Sequence, residues 1–218
     1  MPGRFRRTRC ASVSSSRPVA TGASASTELL RLAVLVSGRG TNLQALLDHQ
    51  GDEYRIVLVC SNRPGVPALD RARRAGVPAR VFEGRPAQVD MARAIREAQA
   101  ELIVLAGFDR LLSPDFFAAL GNAAALVSTH PSLLPKFGGP GMIGRRVHEA
   151  VLAAGERETG CTVFRTRPDA IDQGEILAQA RVPVLDGDTP DSLEARVLAV
   201  EHETLVEVVR RLSSNNGL

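Results

Sequence analysis

The chain has 218 residues, enough for one domain with a sizeable core. Hydrophobic residues make up 44% and charged residues 23%, as is ordinary for globular proteins, while the scarcity of aromatic residues (4%) argues against base stacking on nucleic acid. The net charge of +3 depends on Arg4, Arg6, Arg7, Arg9 and Arg17. The rest of the chain is therefore near neutral, and no nucleic-acid-binding surface is expected.

The three cysteines, Cys10, Cys60 and Cys161, are too widely spaced for a disulfide framework or a zinc cluster. They favour a reducing, cytoplasmic compartment. No apolar run reaches the length of a membrane span, so no membrane association is expected.

Residues 1–28 are rich in Arg, Ser, Ala and Thr, and their first acidic residue is Glu28. Such a composition cannot bury enough apolar surface to order itself. We interpret the segment as a disordered extension, or as residues included because the start codon was assigned too far upstream. An organelle transit peptide is the alternative. The folded domain is expected over residues 29–218.

Strand and helix patterns alternate along this domain. Strands are predicted at 32–36, 55–60, 80–82, 101–106, 125–128, 160–165 and 176–184. Helices are predicted at 42–48, 67–75, 87–100, after the Ser113-Pro114 turn, at 145–154 and at 193–212. The alternation predicts an α/β fold with a doubly wound, mostly parallel sheet and a long C-terminal helix.

The first turn, Ser37-Gly38-Arg39-Gly40-Thr41-Asn42, lies between the first strand and its helix. Backbone N–H groups at such a helix start bind anions, and glycines allow a phosphate to approach. The further glycine of a dinucleotide fingerprint is absent, and no acidic residue ends the second strand. The turn therefore predicts a mononucleotide or sugar-phosphate site. The alternative is a glycine turn needed only for tight strand-to-helix packing.

The best candidate for proton chemistry is His130, which follows a strand and precedes Pro131. Histidine transfers protons near neutral pH, and the neighbouring proline stiffens the backbone. The other histidines, His49, His148 and His202, lie in or at the end of helical patterns, where capping, surface or packing roles are expected.

Asp172 lies in a loop between the last two predicted strands. Within hydrogen-bond reach of His130, its carboxylate would stabilise the imidazolium. The alternative is that Asp169 and Asp172 only form turns, as Asp near Gly commonly does.

From Leu32 to about Leu212 the chain resembles the phosphoribosylglycinamide formyltransferase family. The resemblance rests on ordered motifs: V-L-V-S-G-R-G-T-N-L-Q-A at 34–45, L-A-G-F at 105–108, H-P-S-L-L-P-K at 130–136, V-H-E-A-V at 147–151 and D-Q-G-E-I-L-A-Q at 172–179. It implies a doubly wound sheet of the formyltransferase type.

The resemblance also implies roles for individual residues. The catalytic positions are His130, Asp172, which stabilises the protonated histidine, and Ser128. The ribonucleotide-binding positions are Gly40, Thr41, Asn42 and Glu201. The folate-binding positions are Arg85, Asp109, Arg110, Leu111, Leu112, Ser128, Pro168, Asp169, Ala170, Ile171 and Asp172.

The implied reaction moves the formyl group of 10-formyltetrahydrofolate, a co-substrate, to the amine of 5'-phosphoribosylglycinamide in purine biosynthesis. It requires no metal and no covalent nucleophile. The expected partners are small molecules, and the expected state is a cytoplasmic monomer or homodimer, with organelle import if residues 1–28 are a transit peptide.

Three positions depart from the family's pattern. Ser128 replaces a common asparagine whose amide donates to the formyl oxygen, Phe164 replaces a histidine, and Asp109 replaces an apolar residue, often Met. Losing one such donor costs about a hundredfold or more in rate. Two alternatives therefore stay open: a catalytically weak folate- or nucleotide-binding relative, and a formyltetrahydrofolate hydrolase.

Overall fold

Strands and helices alternate along the chain in the computed structural model, which describes residues 29–166, 168 and 171–214. The strands are β1 (Leu30–Val36), β2 (Tyr54–Ser61), β3 (Ala79–Val81), β4 (Leu102–Leu105), β5 (Ala125–His130), β6 (Glu158–Arg165) and β7 (Ile176–Pro183). The helices are α1 (Thr41–Asp48), α2 (Pro67–Arg74), α3 (Ala87–Glu97), α4 (Pro114–Leu120), α5 (Arg145–Ala153) and α6 (Pro190–Ser214).

The strands form one sheet in the order β3-β2-β1-β4-β5-β6-β7. Strands β1 to β5 pair in parallel, whereas β6 runs antiparallel to β5 and β7 antiparallel to β6. The predicted doubly wound, mostly parallel sheet with a long C-terminal helix is confirmed. The strand order reverses between β1 and β4, which is where ligands bind in sheets of this kind.

Strand β1 shows why the central strands read as continuous apolar runs. Leu32, Val34 and Val36 belong to the core on one face of the sheet, where α1 and α6 pack. Ala33 and Leu35 belong to the core on the other face, under α3 and α4. Because helices cover both faces, every position from Leu32 to Val36 is buried.

Some element ends differ from the sequence prediction. Helix α3 ends at Glu97, before the predicted position 100, because Gln99 takes a left-handed backbone (φ 51°). Strand β7, at the rim of the sheet, ends at Pro183, one residue before the predicted end, although Val184 N still donates to the Arg157 carbonyl at 2.9 Å. Only Val182 of β7 is fully buried.

Candidate active site

A cavity of about 670 Å³ opens where β1, β4 and β5 end. It brings together most of the residues predicted from the sequence. Those on its wall are Gly40, Thr41, Asn42, Asp109, Arg110, Leu111, Leu112, Ser128, His130, Pro168, Ile171, Asp172 and Glu201. Residues 1–28, Asp169 and Ala170 lie outside the described residues.

Arg85 is exposed and does not line this cavity. It lies three residues before Gln88, whose amide donates to the Leu111 carbonyl at 3.1 Å and accepts from Ser113 N at 2.7 Å. Arg85 is therefore close in sequence to a residue that contacts Leu111 and Ser113, but it lies outside the cavity wall.

Gly40 and Gly38 differ in what the fold demands of them. Gly40 has φ 71°, and a Cβ there would lie 2.6 Å from the Cβ of Ala68 in α2. Gly40 is thus required for packing against α2, which does not decide between the two interpretations of the turn. Gly38 also lines the cavity, but it has open space around it, with no heavy atom within 4 Å of a built Cβ. Packing therefore does not require glycine at position 38.

Helix α1 begins at Thr41, so its first backbone N–H groups have no acceptor within the helix. Asn42, in its first turn, donates from Nδ2 to Glu201 Oε1 of α6 at 2.8 Å. Both side chains are buried, and Asn42 Oδ1 has no hydrogen-bond partner among the described residues. A buried free acceptor beside a carboxylate suits the hydroxyl groups of a sugar.

His130 is the last residue of β5, which runs two residues beyond the predicted end at 128, and its ring has a partner on each side. Nε2 lies 2.8 Å from the carbonyl oxygen of Phe137, and Nδ1 lies 3.6 Å from Asp172 Oδ1. A carbonyl only accepts, so Nε2 carries the hydrogen in the neutral ring. Nδ1 is therefore the ring nitrogen without a hydrogen in the neutral form, and it faces the Asp172 carboxylate.

Asp172 forms a turn and also faces the histidine. Its backbone is left-handed (φ 51°), a conformation that Asp adopts more readily than most residues. Its Oδ2 accepts a hydrogen bond from Gly139 N at 2.9 Å, which leaves Oδ1 toward His130. Asp172 therefore forms a turn, and its carboxylate also faces His130 at a distance slightly longer than a hydrogen bond.

Ser128 and Phe164, two of the departures, are directly opposite each other in the β5–β6 ladder. Both line the cavity, and the Phe164 side chain is almost fully buried (2% exposed). The Ser128 hydroxyl makes no hydrogen bond to the part of the chain that the structure describes. Directly opposite side chains in a ladder are in contact range, so the two departures form one local change.

The sequence assigned His148 a capping, surface or packing role and not a place in the site. It lies on α5 between the buried Val147 and Val151, lines the cavity, and its Nδ1 has no partner among the described residues. Burial lowers the pKa of His148, the charge of His130 lowers it further, and Glu194 opposes both. A neutral imidazole is thus available to a ligand beside His130. Its position on the apolar helix face is the signal that could have found it.

The cysteines among the described residues are remote from this chemistry. Burial raises the pKa of the Cys60 thiol to about 12 and also raises that of Cys161, and neither lines the cavity. A thiol held in its protonated form is a poor nucleophile. Within the described ranges, no group of three or more His, Cys, Asp or Glu side chains is placed to hold a metal ion.

Comparison with known proteins defines the class. Residues 30–209 match the formyl transferase family, described as "Formyl transferase". The chain belongs to this family, and the resemblance seen in the sequence is confirmed.

Among sequence relatives, the chain is 42% identical over 195 residues to the trifunctional purine biosynthetic protein adenosine-3 of Drosophila pseudoobscura pseudoobscura, covering 84% of this chain and 14% of that protein. It is 35% identical over 193 residues to a chloroplastic phosphoribosylglycinamide formyltransferase of Vigna unguiculata, covering 84% of this chain and 60% of that protein. The chain thus spans only part of these relatives.

Solved structures give fuller coverage. The glycinamide ribonucleotide transformylase 1 of Symbiobacterium toebii superposes with a TM-score of 0.77 at 36% identity, over 85% of this chain and 88% of that one. The phosphoribosylglycinamide formyltransferase of Anaplasma phagocytophilum gives a TM-score of 0.78 at 34% identity, over 86% and 89%.

Proposed function

We propose that this protein transfers the formyl group of 10-formyltetrahydrofolate to the amine of 5'-phosphoribosylglycinamide, a step of purine biosynthesis. The main support is that one cavity contains both an anion-binding helix start, at Gly38–Asn42, and the His130–Asp172 pair. The names of relatives that are similar over most of the chain favour the same substrates.

The two substrates would enter from different sides. The ribonucleotide phosphate lies at the start of α1, and its ribose hydroxyls meet Asn42 Oδ1 and Glu201. The pteridine lies along Arg110, Leu111 and Leu112, and its tail leaves toward Arg85. The formyl carbon and the attacking amine then meet beside Ser128 and His130.

In the reaction the amine attacks the formyl carbon, and an oxyanion develops on the formyl oxygen. Protonated His130, held by the Phe137 carbonyl and facing Asp172, stabilises that charge. The new C–N bond forms, the bond from carbon to folate N10 breaks, and the proton lost by the amine balances the one gained at N10. No covalent intermediate on the protein is needed.

The test is an assay of tetrahydrofolate release from 10-formyltetrahydrofolate, with and without glycinamide ribonucleotide. Release that requires the ribonucleotide supports the transferase. Release without it would indicate a hydrolase, and binding of both ligands without release would indicate a binding protein. The His130→Ala variant is the control, and its activity should be lost while ligand binding is kept.

We further propose that the protein acts as a monomer or homodimer in the cytoplasm, or in an organelle if residues 1–28 are a transit peptide. Relatives from Vigna unguiculata and Arabidopsis thaliana are named as chloroplastic, which favours testing import. No helix in the described part of the chain is long and apolar enough to cross a membrane.

A further inference from the structure

Asp109, which stands where an apolar residue is common, has its carboxylate fully engaged by the loop after β2. Asn62 Nδ2 donates to Oδ1 at 2.9 Å, and the Arg63 guanidinium donates to Oδ2. The backbone N–H of Asp109 donates to Ser37 Oγ at 2.9 Å. Each carboxylate oxygen of Asp109 thus has a partner in the loop after β2.

These contacts tie three strand ends together. Ser37, just after β1, donates from Oγ to Asn62 Oδ1 at 2.7 Å. Ser61, at the end of β2, donates from Oγ to the Arg63 carbonyl at 2.8 Å and accepts from Arg63 N at 3.1 Å. Asp109 follows β4, so the network joins β1, β2 and β4 at the edge where the cavity opens.

The opposite charges of Asp109 and Arg63 show that the network holds the Arg63 side chain at the cavity wall. The Asp109 carboxylate is largely covered (22% exposed), whereas the Arg63 side chain is half exposed (52%), and Arg63 lines the same cavity as Gly38–Asn42. An unpaired carboxylate beside this turn would repel a phosphate, and Arg63 cancels that charge. A guanidinium has several N–H donors in a planar fork, so one carboxylate contact leaves others for a phosphate.

We propose that Asp109 is a positioning residue that holds Arg63 at the cavity wall as a ligand for the substrate's phosphate, rather than a contact to the pteridine. This rests on the proposed function for the identity of the phosphorylated substrate. Arg63 would then contact the phosphate in addition to the start of helix α1. The unusual aspartate at position 109 would serve ribonucleotide binding and not folate binding.

The first test uses ribose 5-phosphate as the probe, with Kd measured by calorimetry on the full chain. Arg63→Met should weaken binding by about tenfold, as expected for one charge-assisted hydrogen bond. Asp109→Asn removes a negative charge near the phosphate but also the ion pair that holds Arg63 at the cavity wall. Because the proposal makes that position decisive, binding should weaken by a few fold. Arg63→Lys should recover part of the affinity, and added salt should weaken the unaltered protein more than Arg63→Met.

The second test separates the two substrates. In the formyl-transfer assay, Asp109→Asn and Arg63→Met should raise the KM for the ribonucleotide and leave the KM for 10-formyltetrahydrofolate within about twofold. The double variant should be no worse than Arg63→Met alone, since both act through one contact. The matched control is the ion pair Arg93–Asp90 on α3, which does not line the cavity. Arg93→Met and Asp90→Asn should change neither constant.

Two results would overturn the inference: an unchanged Kd for ribose 5-phosphate in Arg63→Met, or a rise in the folate KM alone in Asp109→Asn. If Asp109→Asn fails to fold, the comparison of Arg63→Lys with Arg63→Met decides, because Arg63 is half exposed. If the unaltered protein binds ribose 5-phosphate through Arg63 but transfers no formyl group, the proposed function fails and the inference stands.

Discussion

Replacing Gly40 and Gly38 separately by alanine should distinguish a packing requirement from a ligand requirement within the same turn. At Gly40 the new Cβ would lie 2.6 Å from Ala68 Cβ and 2.8 Å from Ala68 Cα. Carbon atoms in contact are about 3.5–4.0 Å apart, so helix α2 would have to move by about 1 Å.

The cost at Gly40 has two parts. Overpacking costs about 1–3 kcal/mol, and the left-handed backbone (φ 71°) adds about 1–2 kcal/mol for a residue with a Cβ. The total is about 2–5 kcal/mol, a large share of the roughly 5–15 kcal/mol that stabilises a typical domain. In a domain of this size the melting temperature should fall by about 5–15 °C.

At Gly38 the same substitution meets no heavy atom within 4 Å and no left-handed backbone. Its melting temperature should stay within about 2 °C, while the KM for the ribonucleotide rises about tenfold because the methyl group blocks the phosphate. Gly51→Ala, which also has open space and an ordinary backbone, is the matched control outside the cavity.

Thermal melting and steady-state kinetics with each substrate varied in turn give the answer. An unchanged melting temperature for Gly40→Ala would refute the packing calculation. An unchanged ribonucleotide KM for Gly38→Ala would show that the phosphate does not approach the turn.

Three further predictions concern the catalytic side of the cavity. Ser128→Asn should raise kcat by up to about tenfold if the restored amide contributes about 1.4 kcal/mol. The increase should be larger when Ser128→Asn is combined with Phe164→His. A fall in kcat would contradict this prediction. Asp172→Asn, which tolerates the left-handed backbone, should lower kcat about a hundredfold or more with both substrates still bound. Adding His130→Ala should make it little worse, and fully additive losses would disprove a coupled pair. The pKa of His148 is lower in the folded protein than in the unfolded chain. Below about pH 6.5 the unfolded chain therefore binds more protons than the folded protein does. The free energy of unfolding should fall as the pH falls through that range. His148→Gln should flatten this decline in melting temperature; an unchanged slope would show that His148 does not titrate on unfolding.

The fold and the centre of the site could be predicted because their signals are local. Continuous apolar runs such as 32–36 indicate strands covered on both faces, and the alternation with helices indicates parallel pairing. Parallel strands end at the same edge of a sheet. The residues that follow β1 and end β5, Gly40 and His130, therefore had to lie on one side of the molecule, and they share the cavity.

What the sequence missed depends on tertiary contacts. An apolar run has the same pattern in either direction, so the antiparallel β6 and β7 could not be distinguished from parallel strands. The packing role of Gly40 depends on Ala68, which belongs to another helix. The engagement of Asp109 depends on Asn62 and Arg63, which are remote in sequence, so comparison with the usual apolar residue suggested only a change in the pteridine pocket.

The rim position of β7 bears on how the protein would lose activity under mild denaturation. This strand pairs only with β6 and has one fully buried residue, and Asp172 lies in the chain segment that joins the two. Peripheral elements of this kind open at a lower free energy than the domain as a whole. Opening there would separate Asp172 from His130 while α1 and the parallel strands stay folded. Formyl transfer should then disappear at a lower urea concentration than ribose 5-phosphate binding, and amide hydrogens of β7 should exchange before those of β1.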